Sequence, residues 1–175
     1  MAIMKYQLLA LLAVLLPLSA AADGEHVHHS PYAGQELREI KSLSAEDVAE
    51  LERGGGWGLA KAAELNGVPG PSHILEMKRH IGLSADQEAS TQRIFQTMRE
   101  DAVLEGKRLI AAEMALEIGF RDGPIDQHGL RARLRKIEAI RANLRYVHLA
   151  AHLRMMRILK EEQVKRYNEL RGYGR

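Results

Sequence analysis

The sequence predicts an all-α protein, and three observations lead there. Aromatic residues make up only 5% of the chain, so a core must be built from Leu, Ile, Ala and Met, which suits packed helices. No alternating apolar–polar pattern lasts five residues. From residue 72 onward, apolar side chains recur instead at three- and four-residue steps. The architecture expected is a long antiparallel helical hairpin with short flanking helices, completed by dimerisation. The chain has no cysteine, which excludes a disulfide framework and thiolate metal sites.

Residues 1–22 read as a cleaved signal peptide. Lys5 supplies the positive charge, Leu8 to Leu16 form the apolar run, Pro17 breaks it, and Ala20-Ala21-Ala22 gives a small-residue cleavage site before Asp23. The apolar run is far shorter than the ~20 residues of a membrane span. The expected product is a secreted, periplasmic chain that is not membrane-embedded after cleavage. Residues 23–71 read as a segment of short helices and Gly/Pro-rich loops. Ser44 and Asp47 form a capping-box start for a helix over 45–53, which Gly54-Gly55-Gly56-Trp57-Gly58 stops. That glycine cluster lacks the Gly-x-x-x-x-Gly-Lys-Ser/Thr spacing of a phosphate loop, and no strand precedes it. It is expected to be a flexible corner with Trp57 docked on the helical body. A short helix over 59–65 ends at Asn66-Gly67, and Pro69-Gly70-Pro71 is a rigid break.

The hairpin is expected within residues 72–175. Ser72 caps a helix through His80, ended by Gly82. Ser84 is the N-cap of a much longer helix: its hydroxyl accepts from the Gln87 backbone N–H while the Gln87 side chain reaches back to Ser84. Phe95, Met98, Ala102, Leu109, Ala112, Leu116 and Phe120 mark its apolar seam, and Arg121-Asp122-Gly123-Pro124 is the turn. Asp126 caps the return helix, whose seam is Leu130, Leu134, Ile137, Leu144, Ala151, Met155 and Ile158. Each long helix runs about 30 residues, roughly 45 Å. Leu159-Lys160-Glu161-Glu162-Gln163 then opens a final helix, 76 positions after Leu83-Ser84-Ala85-Asp86-Gln87. Charge is lopsided: residues 23–127 hold 11 Lys/Arg and 19 Asp/Glu, whereas 128–175 hold 13 Lys/Arg and 4 Asp/Glu. The halves can attract each other within a hairpin or across a dimer, or the charges are a solvated helix face. Nucleic acid is not expected as a partner of an exported protein.

On these residues the chain resembles the Spy/CpxP family of small periplasmic proteins, over residues 72–173. Members carry two Leu-Thr-x-x-Gln motifs opening helices in a curved, all-helical, dimeric cradle. Leu83 and Gln87 match the first motif, with Ser84 in place of Thr. Leu159 and Gln163 match the second, but Lys160 stands where Thr is expected. Lysine cannot cap a helix N-terminus, so the final helix should start less sharply. The resemblance implies a homodimeric, ATP-independent chaperone for unfolded periplasmic proteins, requiring no cofactor. Arg131, Arg135, Arg141 and Arg145 would attract acidic client segments, and exposed Leu, Ile and Met would hold apolar ones. Docking on a membrane sensor protein uses the same scaffold.

The histidines carry the alternative, a periplasmic heavy-metal-binding sensor or resistance accessory. His148, His152 and Met156 form a four-residue stripe, and His73, Met77 and His80 form another. These pairs resemble the ligands of CnrX-type nickel/cobalt sensors, distant relatives of the ZraP kind. Imidazole suits Zn, Ni, Co or Cu. Against that, His148 falls inside the apolar seam, where a hydrogen-bonded core histidine is common, and Met155 and Met156 are ordinary core residues. His26, His28 and His29 form a further cluster suited to loose scavenging. No Ser-His-Asp order, nucleotide loop or local catalytic motif is present, so no enzyme is expected.

Overall fold

The computed structural model describes residues 30–173. The signal segment and His26, His28 and His29 lie outside the described residues. Every regular element among the described residues is helical, and from Gly34 the chain forms one compact unit. After a 3-10 turn at Gln35–Leu37 come α1 (Ala45–Glu52), α2 (Lys61–Glu64), α3 (Pro71–Glu76), α4 (Lys78–Ile81), α5 (Ala85–Arg121), α6 (Gln127–Met155) and α7 (Glu161–Arg171). The two long helices, α5 and α6, pack against each other as the expected hairpin.

The local signals act where the sequence puts them. Ser44 and Ser84 both close full capping boxes, with Asp47 and Gln87 respectively. Asp126 accepts from the Gly129 N–H at 2.7 Å and starts α6. Gly67 and Gly82 adopt φ of 77° and 70° where helical runs stop. The helix expected to begin at Ser72 differs. Gly70 is its N-cap and Pro71 its first residue, so Ser72 is already inside the first turn and its hydroxyl bonds Glu76 instead. That run also breaks at Met77 and restarts as α4.

The core has two centres. In the first, Ala102, Leu109 and Ala112 of α5 meet Ile137 and Leu144 of α6, and Ile40, Leu43 and Leu51 close the third side. Residues 34–71 are therefore part of the core and not an appendage to it. Burying each of these Leu and Ile side chains contributes roughly 1.5–3 kcal/mol. The approach of α1 to α5 depends on Gly106, where a Cβ would stand 2.4 Å from the Leu51 carbonyl oxygen. The glycine corner is held by Trp57, which adopts a positive φ of 43°. Its indole N–H donates to Asp47 at 2.8 Å, and the Arg141 guanidinium lies over its ring at 5.1 Å. The Trp57 bond, then the Ser44 bonds, hold the Asp47 carboxyl below its ordinary value.

The second centre gathers Ile74, Ile81, Met155, Leu159 and Tyr167, and Leu83 packs against it. The seam predicted along the hairpin is buried only where other elements cover it. Phe120 is 61% exposed and Leu134 43% exposed, and neither belongs to either core cluster. No helix among the described residues is long and apolar enough to cross a membrane.

Candidate functional site

The two Leu-x-x-x-Gln segments meet. Gln87 Nε2 donates to Gln163 Oε1 at 2.8 Å and to the Ile158 carbonyl at 2.7 Å. Gln163 Nε2 donates to Gln87 Oε1 at 3.0 Å and to the Gly82 carbonyl at 3.0 Å. Each Oε1 also accepts from its own N-cap N–H, Ser84 at 3.0 Å and Lys160 at 2.9 Å. Both amides thus use all their donors and acceptors, and each motif makes the same bonds to the other. Leu83 and Leu159 lie beneath in the second core centre. Lys160 supplies no side-chain cap; α7 starts through the Gln163 back-bond and through Glu161 and Glu162 in the positive field of its first turn. This clasp joins the loop before α5 to the loop before α7. It holds structure together and leaves no polar group free for a ligand.

A separate cavity of about 360 Å³ lies against the core side of α6. Its lining includes Gly55, Glu64, Gly70, His73, Met98, His148 and His152. His148 and His152 are 3% and 6% exposed. His152 Nδ1 lies 2.8 Å from the Val68 carbonyl, which can only accept, so Nδ1 carries the proton and Nε2 keeps its lone pair. Burial pushes the His152 imidazole toward its neutral form; the Val68 bond and the Glu64 charge oppose that shift. Burial likewise depresses His148, with the neighbouring His152 adding to it and the nearby Gly55 backbone opposing. His148 Nε2 is buried without any hydrogen-bond partner. At the cavity's edge, His73 pairs with Glu64 at 3.4 Å and with Glu76 at 3.1 Å. Burial alone would raise the Glu64 carboxyl, but bonds from Tyr173 and Arg171 outweigh it and hold the group below its ordinary value.

The structure thus brings together three of the six expected metal ligands, His73, His148 and His152, and separates the rest. Met156 is exposed away from the cavity, Met77 packs into the second core centre, and His80 is exposed at the end of α4. Met156 still has helical backbone geometry, but each four-residue step turns roughly 40° on a 3.6-residue helix, so it lies roughly 80° round from His148, toward the exposed side of α6. Among the described residues no three His, Asp or Glu side chains stand together at metal-binding spacing. The sequence did not single out Gly55, Glu64 or Gly70. Gly70 reads as part of a proline break, yet a Cβ there would sit 2.6 Å from His152 Nε2.

The four arginines divide. Arg141 is committed to the fold: Nη2 donates to Glu113 at 3.0 Å, and the guanidinium covers Trp57. Glu113 is buried and its other oxygen accepts from Ser42. Arg131, Arg135 and Arg145 are exposed and make no ion pair among the described residues. They share the outer side of α6 with Ala139, Ala142, Tyr146, Leu149, Leu153 and Met156, apolar positions at alternating three- and four-residue steps. Tyr146 and Leu153 are 71% and 63% exposed. The acidic and basic halves meet across the hairpin chiefly through Arg141 and Glu113. Compared with known protein families, curated proteins and solved structures, the chain has no match.

Proposed function

We propose that the protein acts outside the cytoplasm as a client-binding protein of the Spy/CpxP type, holding unfolded polypeptides without nucleotide. The observation that carries this reading is the outer face of α6. Tyr146, Leu153 and Met156 are exposed there at helical steps, beside Arg131, Arg135 and Arg145, which are exposed and form no ion pair among the described residues. Exposed apolar residues scattered singly need no explanation, but a run along one helix face does. The arginines draw acidic segments at long range, and the apolar side chains hold what arrives. Methionine at the end of the stripe adapts to varied shapes. A client leaves when it buries its own apolar surface, so no ATP is needed. A homodimer, pairing two hairpins into a cradle, belongs to the same reading.

The test is light scattering from a denatured model enzyme diluted into the protein at equimolar dimer. Suppression of aggregation is expected, and a Tyr146→Ser/Leu153→Ser variant should lose most of it. Both side chains are largely exposed, so its melting temperature should stay within a few degrees of the parent. No suppression by the parent, or full suppression by a correctly folded variant, sinks the reading. Light scattering coupled to size exclusion tests the dimer separately.

A further inference from the structure

We propose that the cavity between α6 and the Gly54–Pro71 corner is a binding site for a small organic carboxylate, a molecule with one carboxyl group on a compact apolar body. Its carboxyl oxygens meet His148 Nε2 and His152 Nε2, while Arg53 and Arg99 in the cavity wall balance its charge. The first reason is a deficit. His148 is 3% exposed, lines the cavity and keeps its Nε2 buried without a partner. A buried polar atom in that state costs free energy until something fills it. His152, one helical turn on, lines the same space, and the Val68 bond at Nδ1 leaves its Nε2 a lone pair. Water would satisfy one nitrogen, but it would use neither the cations nor the apolar wall.

Charge selects the sign of the ligand. The charged and titratable groups around the two rings are Arg53 at the end of α1, Glu64 of α2, His73 of α3 and Arg99 of α5. Glu64 is already held by Arg171 and the Tyr173 hydroxyl, and Arg53 by Glu50. Arg99 spends only its Nε, on the Arg53 carbonyl at 3.3 Å, so its two Nη groups stay open to a carboxylate. Phe95, Met98 and Pro71 make part of the wall apolar. A volume of about 360 Å³ sits at the small end of the roughly 300–1,000 Å³ of ligand pockets, so the apolar body must be compact. Burial keeps both rings toward neutral, so the carboxylate arrives with one proton from solution, shared between its oxygen and His152 Nε2. Room for that oxygen exists because residue 70 lacks a Cβ. The site lies against the core side of α6 and does not rest on client binding by the outer face. Either proposal can fail alone.

The experiment is calorimetric titration of the full chain with sodium benzoate and sodium hexanoate, with benzamide and inorganic phosphate as controls. One equivalent of at least one carboxylate should bind with a dissociation constant below about 1 mM, in keeping with so small a ligand. Its affinity should fall about tenfold from pH 7 to pH 8, because one proton is taken up. Benzamide has the shape without the charge and phosphate the charge without the apolar body, so each should bind about tenfold weaker or worse. Gly70→Ala keeps every cavity side chain and a backbone conformation that alanine tolerates, φ −93° and ψ 155°, while its Cβ crowds His152 Nε2. It should weaken carboxylate binding about tenfold, as should His148→Phe, which removes the partnerless nitrogen, and Arg99→Ala, which removes the open cation. Arg99 is exposed, so its variant keeps the question open to test even if His148→Phe folds poorly. No carboxylate binding below about 1 mM overturns the proposal. So does equal binding of benzamide or phosphate, an affinity level from pH 7 to pH 8, or unchanged binding in folded Gly70→Ala or Arg99→Ala chains.

Discussion

Replacing Gln163 by methionine tests whether the clasp between the two Leu-x-x-x-Gln segments is a unit of stability. The side chain is 7% exposed and nearly isosteric with methionine, so little changes except hydrogen bonding. Four bonds disappear: two with Gln87, one from the Lys160 N–H and one to the Gly82 carbonyl. Each is worth about 0.5–1.5 kcal/mol net, and groups left buried without a partner cost toward the upper end. The apolar methionine recovers part of this by its own burial. The expected loss is about 2–4 kcal/mol in urea unfolding followed by far-ultraviolet circular dichroism, with an unchanged denaturant slope. Gln87→Met should behave similarly, because it breaks the same reciprocal pair. The double variant should cost less than the sum of the singles by about 1–3 kcal/mol, since each single strands an amide that the double removes. Single losses under about 0.5 kcal/mol, or strict additivity, would refute the reasoning.

Three further outcomes follow from other parts of the fold. Gly106→Ala should cost about 1–3 kcal/mol, because its Cβ would press on the Leu51 carbonyl and α1 must shift; thermal melting reads it. Arg141→Ala should cost about 1–3 kcal/mol, leaving buried Glu113 without its cation and Trp57 without its cover; Arg141→Lys should rescue only part, having no planar fork to serve both, and full rescue by lysine would count against that dual role. The paired histidines make stability fall with acidification. Both are held below the ordinary imidazole value of 6.5, so below that pH the unfolded chain binds more protons than the folded one. Stability should be complete above about pH 6.5 and drop toward pH 5, a slope that flattens in the His148→Gln/His152→Gln variant. A parent melting temperature that is level from pH 7 to pH 5 would contradict it.

What the sequence determined by itself is what a few neighbouring residues can decide. Ser44 with Asp47, Ser84 with Gln87, and Asp126 before Gly129 start helices through bonds that span three positions. Gly67 and Gly82 stop helical runs through their own φ. The apolar steps along α5 and α6 therefore announce an all-helical hairpin before any tertiary contact is known. Local bonding has one signature and a short reach, so these elements could be read directly. The error at Ser72 has the same character, since Pro71 occupied the first helical position and moved the cap back to Gly70.

Tertiary structure decided everything that needs two distant segments to meet. The two glutamines sit 76 positions apart, and nothing in either motif says that its amide will find the other. His152 bonds a carbonyl 84 positions away, and that bond, not the His-x-x-x-His spacing, fixes which nitrogen faces the cavity. Met156, on the same sequence stripe, is left outside because successive four-residue steps rotate roughly 40° each and carry it round to the exposed side of α6. Arg141 looks like its neighbours in sequence, yet burial of Glu113 and the position of Trp57 remove it from the exposed face. Residues 34–71 carry weak helix signals of their own and fold as part of the core because Ile40, Leu43 and Leu51 cover a side that the hairpin alone would expose to water. Burial is a property of the assembled chain, so roles that depend on it appear only once the chain is assembled.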